Sequence, residues 1–418
     1  MAYLHSQLTV DDGSNNAYYV AMSEKPQRYD PVESITSRIS SLSTKSGSQL
    51  SSYMPSGQNL VHQTPSRTFG DPFYGMSIGP TPSTSPSNSP YQSVSRRNEP
   101  SSDLDTKLTT SEMNRYVAST IEPDHAYNAS CSAVVDRLVH FLQNNVPSDL
   151  RPQEVIKGGS LGKGTAVKNR SDADLVVFLS DPQYDSIAKM KKEMSRVRTV
   201  LRRFLEDHGE CQITGETQFA VKVQLSCHSG YDLDVDILPT CNILATKSPE
   251  AVFSEMRQKS DADKRFYSAP LVKLQMEFVE RKISSVTKLR TLVRTVKFWR
   301  KTAFEESSAR RLPVSYPLEL ITIGEWEDAG RPRDFDIRKG FYRVLDALTK
   351  YQNFRKVWND NYDSQFNVHS APYVMDPANP FNNVMDASNS WDQVAERAQR
   401  TISSGFSDLQ ALGIVSWQ

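Results

Sequence analysis

Cysteine is scarce in this chain. Its four residues, Cys131, Cys211, Cys227 and Cys241, include no CxxC pair and no histidine at ligand spacing. That excludes a zinc ribbon and a disulfide framework, and points to a reducing compartment. Long apolar runs are missing too, and the N-terminus lacks the basic-then-apolar pattern of a secretory leader, so neither a membrane span nor a signal peptide is expected. Charge of one sign is not in excess: 49 Lys and Arg balance 49 Asp and Glu. Any contact with nucleic acid must then come from local clusters of cations and not from a global field. The seven histidines are dispersed and form no motif.

Hydrophobic residues make up only 38% of the chain because its first hundred residues dilute them. GPTPSTSPSNSPYQSVSRR and its surroundings are rich in serine and proline and have neither a helical nor a strand period. Residues 1–107 are expected to form a disordered tail, whose Ser-Pro steps read either as phosphorylation sites or as an unregulated tether.

The informative stretch is KGGSLGKGTAVKNRSDADLVVFL, residues 157–179. A glycine loop carrying Ser160 runs into Asp172 and Asp174, which at i and i+2 project to one side of a strand. A third acid appears in YDLDVDILP, where Asp232, Asp234 and Asp236 share one face and Leu233, Val235 and Ile237 the other. Three carboxylates around two cations about 3.5 to 4 Å apart suit in-line phosphoryl displacement. Ligands made only of oxygen favour magnesium or manganese. Gly158, Gly159, Gly162 and Gly164 let backbone approach a polyphosphate, with Ser160 and amide groups as donors. The register of Lys163 fails the Walker pattern from either first glycine.

Elsewhere the patterning predicts two helices over Ser111–Asn145 interrupted around Pro123, a strand at Val155 and Ile156, and another over Asp174–Leu179. A helix is expected over Ser186–Asp207 on a stripe of Met190, Met194, Val197, Leu201 and Leu205, stopped by Gly209. Strands follow at 219–225 and 231–238, and from about 270 the pattern is mostly helical. The fold class is α+β: a small mixed-sheet lobe over 108–245, a larger helical lobe over 246–404, and an extension over 405–418. Trp299, Trp326, Phe298 and Tyr316 are expected to pack the helical core.

The string GGSLGKGTAVKNRSDADLVVFLS closely resembles the 2'-5'-oligoadenylate synthetases, template-independent nucleotidyltransferases of the polymerase beta superfamily. VTKLRTLVRTVKFW, LPVSYPLELITIGEWE and VMDPANPFNNV with Trp391 resemble the same family, so the likeness runs from about residue 110 to 402. It implies the bilobal nucleotidyltransferase fold, with Asp172, Asp174 and Asp236 as ligands of two ions and Asp236 helping to remove the hydroxyl proton. It also implies ATP contacts from Gly159, Ser160, Arg294, Lys297, Ser315 and Tyr316. By spacing alone, Arg290, Arg294 and Lys297 would be an ordinary solvated helix face. Asp234 reads either as a solvated carboxylate beside the site, the reading favoured because two ions need only the three acids named, or as a direct ligand. One departure stands out: Ser315 takes the place usual for glutamine, and a hydroxyl reaches less far than an amide.

Activation by double-stranded RNA is implied as well, through Arg115, Lys157 and Lys288, in the cytoplasm. Met276 and Glu280 stand where basic residues are expected, with Arg281 and Lys282 as compensating cations. The cations between Lys189 and Arg203 read as a solvated helix surface. The expected reaction joins ATP to the 2'-hydroxyl of an adenylate acceptor with release of pyrophosphate. The rivals are a related sensor enzyme making cyclic dinucleotides and a catalytically dead RNA-binding scaffold.

Overall fold

The computed structural model describes residues 103–208, 211–227, 230–305, 311–363, 370–413 and 416–417. The expected tail, save 103–107, and the expected stop at Gly209 lie outside the described residues. The first described turn, Asp103–Asp105, precedes the expected start of order at Leu108. It is tied down from afar, since Asp105 accepts from Thr401 at 2.7 Å and pairs with Arg397.

Helix α1 (Thr110–Tyr116) starts at a reciprocal capping box between Thr109 and Glu112 and continues as a wider turn to Ile121. Pro123 interrupts it, and Asp124 then caps α2 (His125–Asn145) by accepting from the Tyr127 amide at 2.8 Å. The chain enters β1 (Pro152–Gly158), makes a helical turn at Gly159–Gly162 and returns as β2 (Ala173–Leu179). Helix α3 (Ile187–His208) buries the expected stripe together with Phe204. Strands β3 (Gln212–Glu216), β4 (Val221–Ser226) and β5 (Asp232–Thr240) complete a sheet in the order β1-β2-β5-β4-β3. Strand β3 was not expected; its alternation, Ile213 inward between polar residues, is too short to read as a strand.

Within this sheet β2 and β5 pair in parallel while its other neighbours are antiparallel, and a parallel pair needs the long crossover through α3, β3 and β4. Strand β2 is apolar on both sides because both faces are covered. Leu175, Val177 and Leu179 enter the main core, while Val176 and Phe178 pack with Ala220, Leu238 and Val272. Asp174 and Asp236 lie on this second face, two residues before Val176 and Leu238. The acids therefore sit where the smaller apolar cluster ends.

Val272 belongs to α5 (Val272–Ile283), which follows α4 (Pro249–Arg257). The helical part continues through α6 (Thr287–Ala303), α7 (Ser315–Asp328), α8 (Ile337–Thr349) and α9 (Trp391–Gly405). Trp299, Trp326 and Phe298 are buried as expected, whereas Tyr316 is only half-buried. Between α8 and α9 the expected helical run gives way to a small sheet of β6 (Arg355–Lys356), β7 (Tyr373–Asp376) and β8 (Asn379–Asn383). Side chains build it where periodicity is lacking: Asn383 Oδ1 accepts from the amides of Val374 at 3.1 Å and Met385 at 3.2 Å. Asp376, 1% exposed, accepts from Gln275 at 3.0 Å, Tyr316 at 2.9 Å, Asn382 at 3.1 Å and the Ala378 amide at 2.9 Å. That carboxylate ties α5 and α7 to the hairpin. The segment expected as an extension also packs, with Trp417 against Phe335 and its carbonyl accepting from the Asp336 amide at 3.0 Å. All described residues fall in one compact unit, and none of their helices is long and apolar enough to cross a membrane.

Candidate active site

In the parallel β2–β5 pair Asp174 stands directly opposite Asp236. The same row continues to Gly158 on β1 and Lys222 on β4. Register thus brings together two acids that stand 236 − 174 = 62 residues apart in the sequence, and Asp172 joins them from the residue before β2. Burial, then the charges of Asp236 and Asp172, push the Asp174 carboxyl up to about 7.

The donor set is entirely oxygen and concentrates negative charge, which fits hard divalent cations. Among the described residues, however, no three His, Cys, Asp or Glu side chains already stand as a closed ligand cluster. Two of the acids face lysines. Lys222 Nζ lies 3.4 Å from Asp236 Oδ2, and Lys301 Nζ lies 3.6 Å from the more exposed Asp172 Oδ2. Neither lysine was singled out from the sequence, because nothing local in VKVQLS tells which acid lies across the strand from Lys222.

The glycines have two jobs. Gly159 adopts φ +57, and a Cβ there would stand 1.8 Å from Asp174 Oδ2; at Gly162 it would stand 1.9 Å from the Lys157 carbonyl oxygen. These two are glycine because the protein's own atoms press against them. Gly164 at φ +67 is a left-handed turn with open space around it. Ser160 turns its hydroxyl back to donate to the Asp172 carbonyl at 3.2 Å, linking loop and acid strand.

Helix α6 grips the loop's exit. Arg294 donates to the Gly164 carbonyl at 2.9 Å, and burial lowers its guanidinium pKa. Lys297, 2% exposed, donates to the Thr165 carbonyl at 2.9 Å and hydroxyl at 3.1 Å. Burial pushes its ammonium down to about 7 despite the nearby carboxylate of Glu319. Lys163 reaches across from the loop to Glu319 at 2.6 Å, with its ammonium 4.3 Å from the Tyr316 ring centre. Against the burial that would raise it, the charges of Lys163 and Lys297 hold the Glu319 carboxyl below its ordinary range. Lys163, Thr165 and Glu319 thus clasp the loop to α7, whose first turn carries Ser315 and Tyr316.

Two expectations need correction. Asp234 is not a solvated carboxylate: it is half-buried, accepts from Gln224 Nε2 at 3.2 Å, and is raised by burial and then by the charge of Asp172. Lys282 is no free compensating cation, since it is 9% exposed and pairs with Glu327 at 2.6 Å. Of the residues expected to face RNA, Arg115 is exposed on α1, Lys157 pairs with Asp136, and Lys288 pairs with Asp334 at 2.5 Å and donates to the Phe335 carbonyl at 2.8 Å. On α3, Lys189, Lys191, Arg196, Arg198 and Arg202 all pair with acids, as a solvated structural surface would.

A mixed sheet bearing paired acids beneath a glycine turn, closed by cationic helices, defines a nucleotidyltransferase, and residues 135–225 match the family model described as a nucleotidyltransferase domain. Residues 246–418 match that of 2'-5'-oligoadenylate synthetase 1, domain 2, C-terminus. The chain is 30% identical over 311 residues, covering 66% of itself and 80% of that protein, to a Rattus norvegicus inactive 2'-5'-oligoadenylate synthase 1B. This chain belongs to the 2'-5'-oligoadenylate synthase family. It is 27% identical to Mus musculus synthase 1A, spanning 68% of this chain and 85% of that protein. It is 29% identical to Mus musculus synthase 2 over 72% of this chain, yet spans only 44% of that longer relative. Among solved structures, E. coli CdnC with ATP is similar at 20% identity and TM-score 0.49, covering 74% of this chain and 99% of that one.

Proposed function

We propose that this chain joins ATP to the 2'-hydroxyl of an adenylate acceptor, releasing pyrophosphate and building 2'-5'-linked oligoadenylate, under the control of double-stranded RNA as an antiviral response in the cytoplasm. The observation that carries the reading is the Asp174–Asp236 register with Gly159 pressed onto Asp174. Two magnesium ions held by Asp172, Asp174 and Asp236, with manganese as the substitute, would neutralise the triphosphate and acidify the attacking hydroxyl. Asp236 accepts the proton of that hydroxyl. Gly159 lets the backbone approach the phosphates, Ser160 donates to them, and Arg294 and Lys297 supply positive charge from beneath the loop. Ser315 and Tyr316 flank the base from the first turn of α7. Arg115, Lys157 and Lys288 meet duplex RNA through its phosphates and 2'-hydroxyls.

An inactive relative exists within the family; the intact acid trio of this chain supports the active reading over a dead scaffold. Incubation with ATP and magnesium, with and without duplex RNA, tests the reading. Linear products that resist a nuclease specific for 3'-5' bonds, and that disappear with Asp236→Ala, are expected. Cyclic products from ATP with GTP, or no turnover at all, would overturn it.

A further inference from the structure

Lys222 is placed by the sheet, not by chance contact. It lies on β4 directly across from Asp236 and on the same face, with its ammonium 3.4 Å from Asp236 Oδ2 and its side chain 21% exposed. A divalent ion on the Asp236 oxygens would stand about 2.0 to 2.1 Å from them, close enough for strong repulsion from an ammonium at Lys222. Both neighbours of Lys222, Val221 and Val223, are fully buried, so the strand cannot carry it away. Lys301 differs, since its ammonium also donates to the Arg170 carbonyl and can leave Asp172 for that partner.

We propose that Lys222 is an internal competitor for the ion held at Asp236, which keeps that ion weakly bound until a nucleoside triphosphate supplies the ammonium with another anion. The inference rests on the reading of Asp172, Asp174 and Asp236 as ion ligands and adds an order of assembly: nucleotide and ion enter together. A free protein that does not hold the ion tightly has no armed nucleophile-activating site. Lys222 acts through Asp236 and is a positioning residue.

The test is direct calorimetric titration of the full chain with manganese alone and in the presence of a non-hydrolysable ATP analogue. Lys222→Met and Lys222→Gln remove the charge, Lys222→Arg retains it, and Asp236→Asn removes the ligand. The charge-removed variants should bind manganese alone about tenfold more tightly than wild type, and gain less affinity from the analogue. Lys222→Arg should follow wild type. Unchanged or weaker manganese binding in both charge-removed variants, with wild-type circular dichroism, would overturn the proposal. Wild-type manganese binding in Asp236→Asn would instead remove Asp236 from the ligand set, and the proposed chemistry with it.

Discussion

Replacing Gly159 by alanine separates two costs that glycine loops usually combine. Its backbone has φ +57, which costs an L residue about 1 to 2 kcal/mol. The new Cβ would also stand 1.8 Å from Asp174 Oδ2, and even a tight 3.0 Å contact requires a shift of 3.0 − 1.8 = 1.2 Å. A misplacement of about 1 Å at a reacting centre costs on the order of 10²-fold in rate. Gly164 is the control: it has φ +67, but a Cβ added there would meet no atom within 4 Å. Both alanine variants should lose about 1 to 2 kcal/mol in urea denaturation, while only Gly159→Ala should lose about 10²-fold in kcat for pyrophosphate release. Equal kcat losses in the two, or wild-type kcat in Gly159→Ala, would refute the claim that Gly159 is there for Asp174.

Glu319→Gln leaves the Lys163 and Lys297 ammoniums facing a neutral amide in a site where Glu319 is 1% exposed, and should cost about 3 to 5 kcal/mol of stability in denaturant titration. For Lys297, pushed by burial from 10.5 down to about 7, the folded protein releases a proton that the unfolded chain still binds. Wild-type stability should therefore rise relative to Lys297→Met between about pH 7 and 10.5, with the full penalty of burial present below about 7, and a stability difference that is flat across that window contradicts the assignment. Arg115→Ala should lower the salt dependence of duplex RNA binding by about one unit. Lys157→Ala and Lys288→Ala should change it less, because Asp136 and Asp334 already hold those cations.

Local periodicity carried much of the fold. The α3 stripe, the break at Pro123 and the alternation DLDVDIL each depend on residues within a few positions of one another, and the structure follows all three. The small β6–β7–β8 sheet was not legible, because Asn and Asp side chains bonding to backbone hold it together without a hydrophobic period. The cations of α3 pair with acids, several of which, such as Asp149 and Asp263, come from other elements and could not be read from the helix alone.

Consecutive residues suffice to set Asp172 and Asp174 together at the start of a strand, to give Asp234 and Asp236 a common face on another, and to set a glycine turn before the first pair. Strand alternation and glycine's backbone freedom are local properties, readable without any knowledge of packing. That Asp174 meets Asp236, that Gly159 yields room to Asp174 and not merely to a ligand, and that Lys222 sits against the third acid became visible only in three dimensions. Those contacts depend on the register of a parallel pair joined by a long crossover, which is set by how the whole lobe packs and has no signature in any short window.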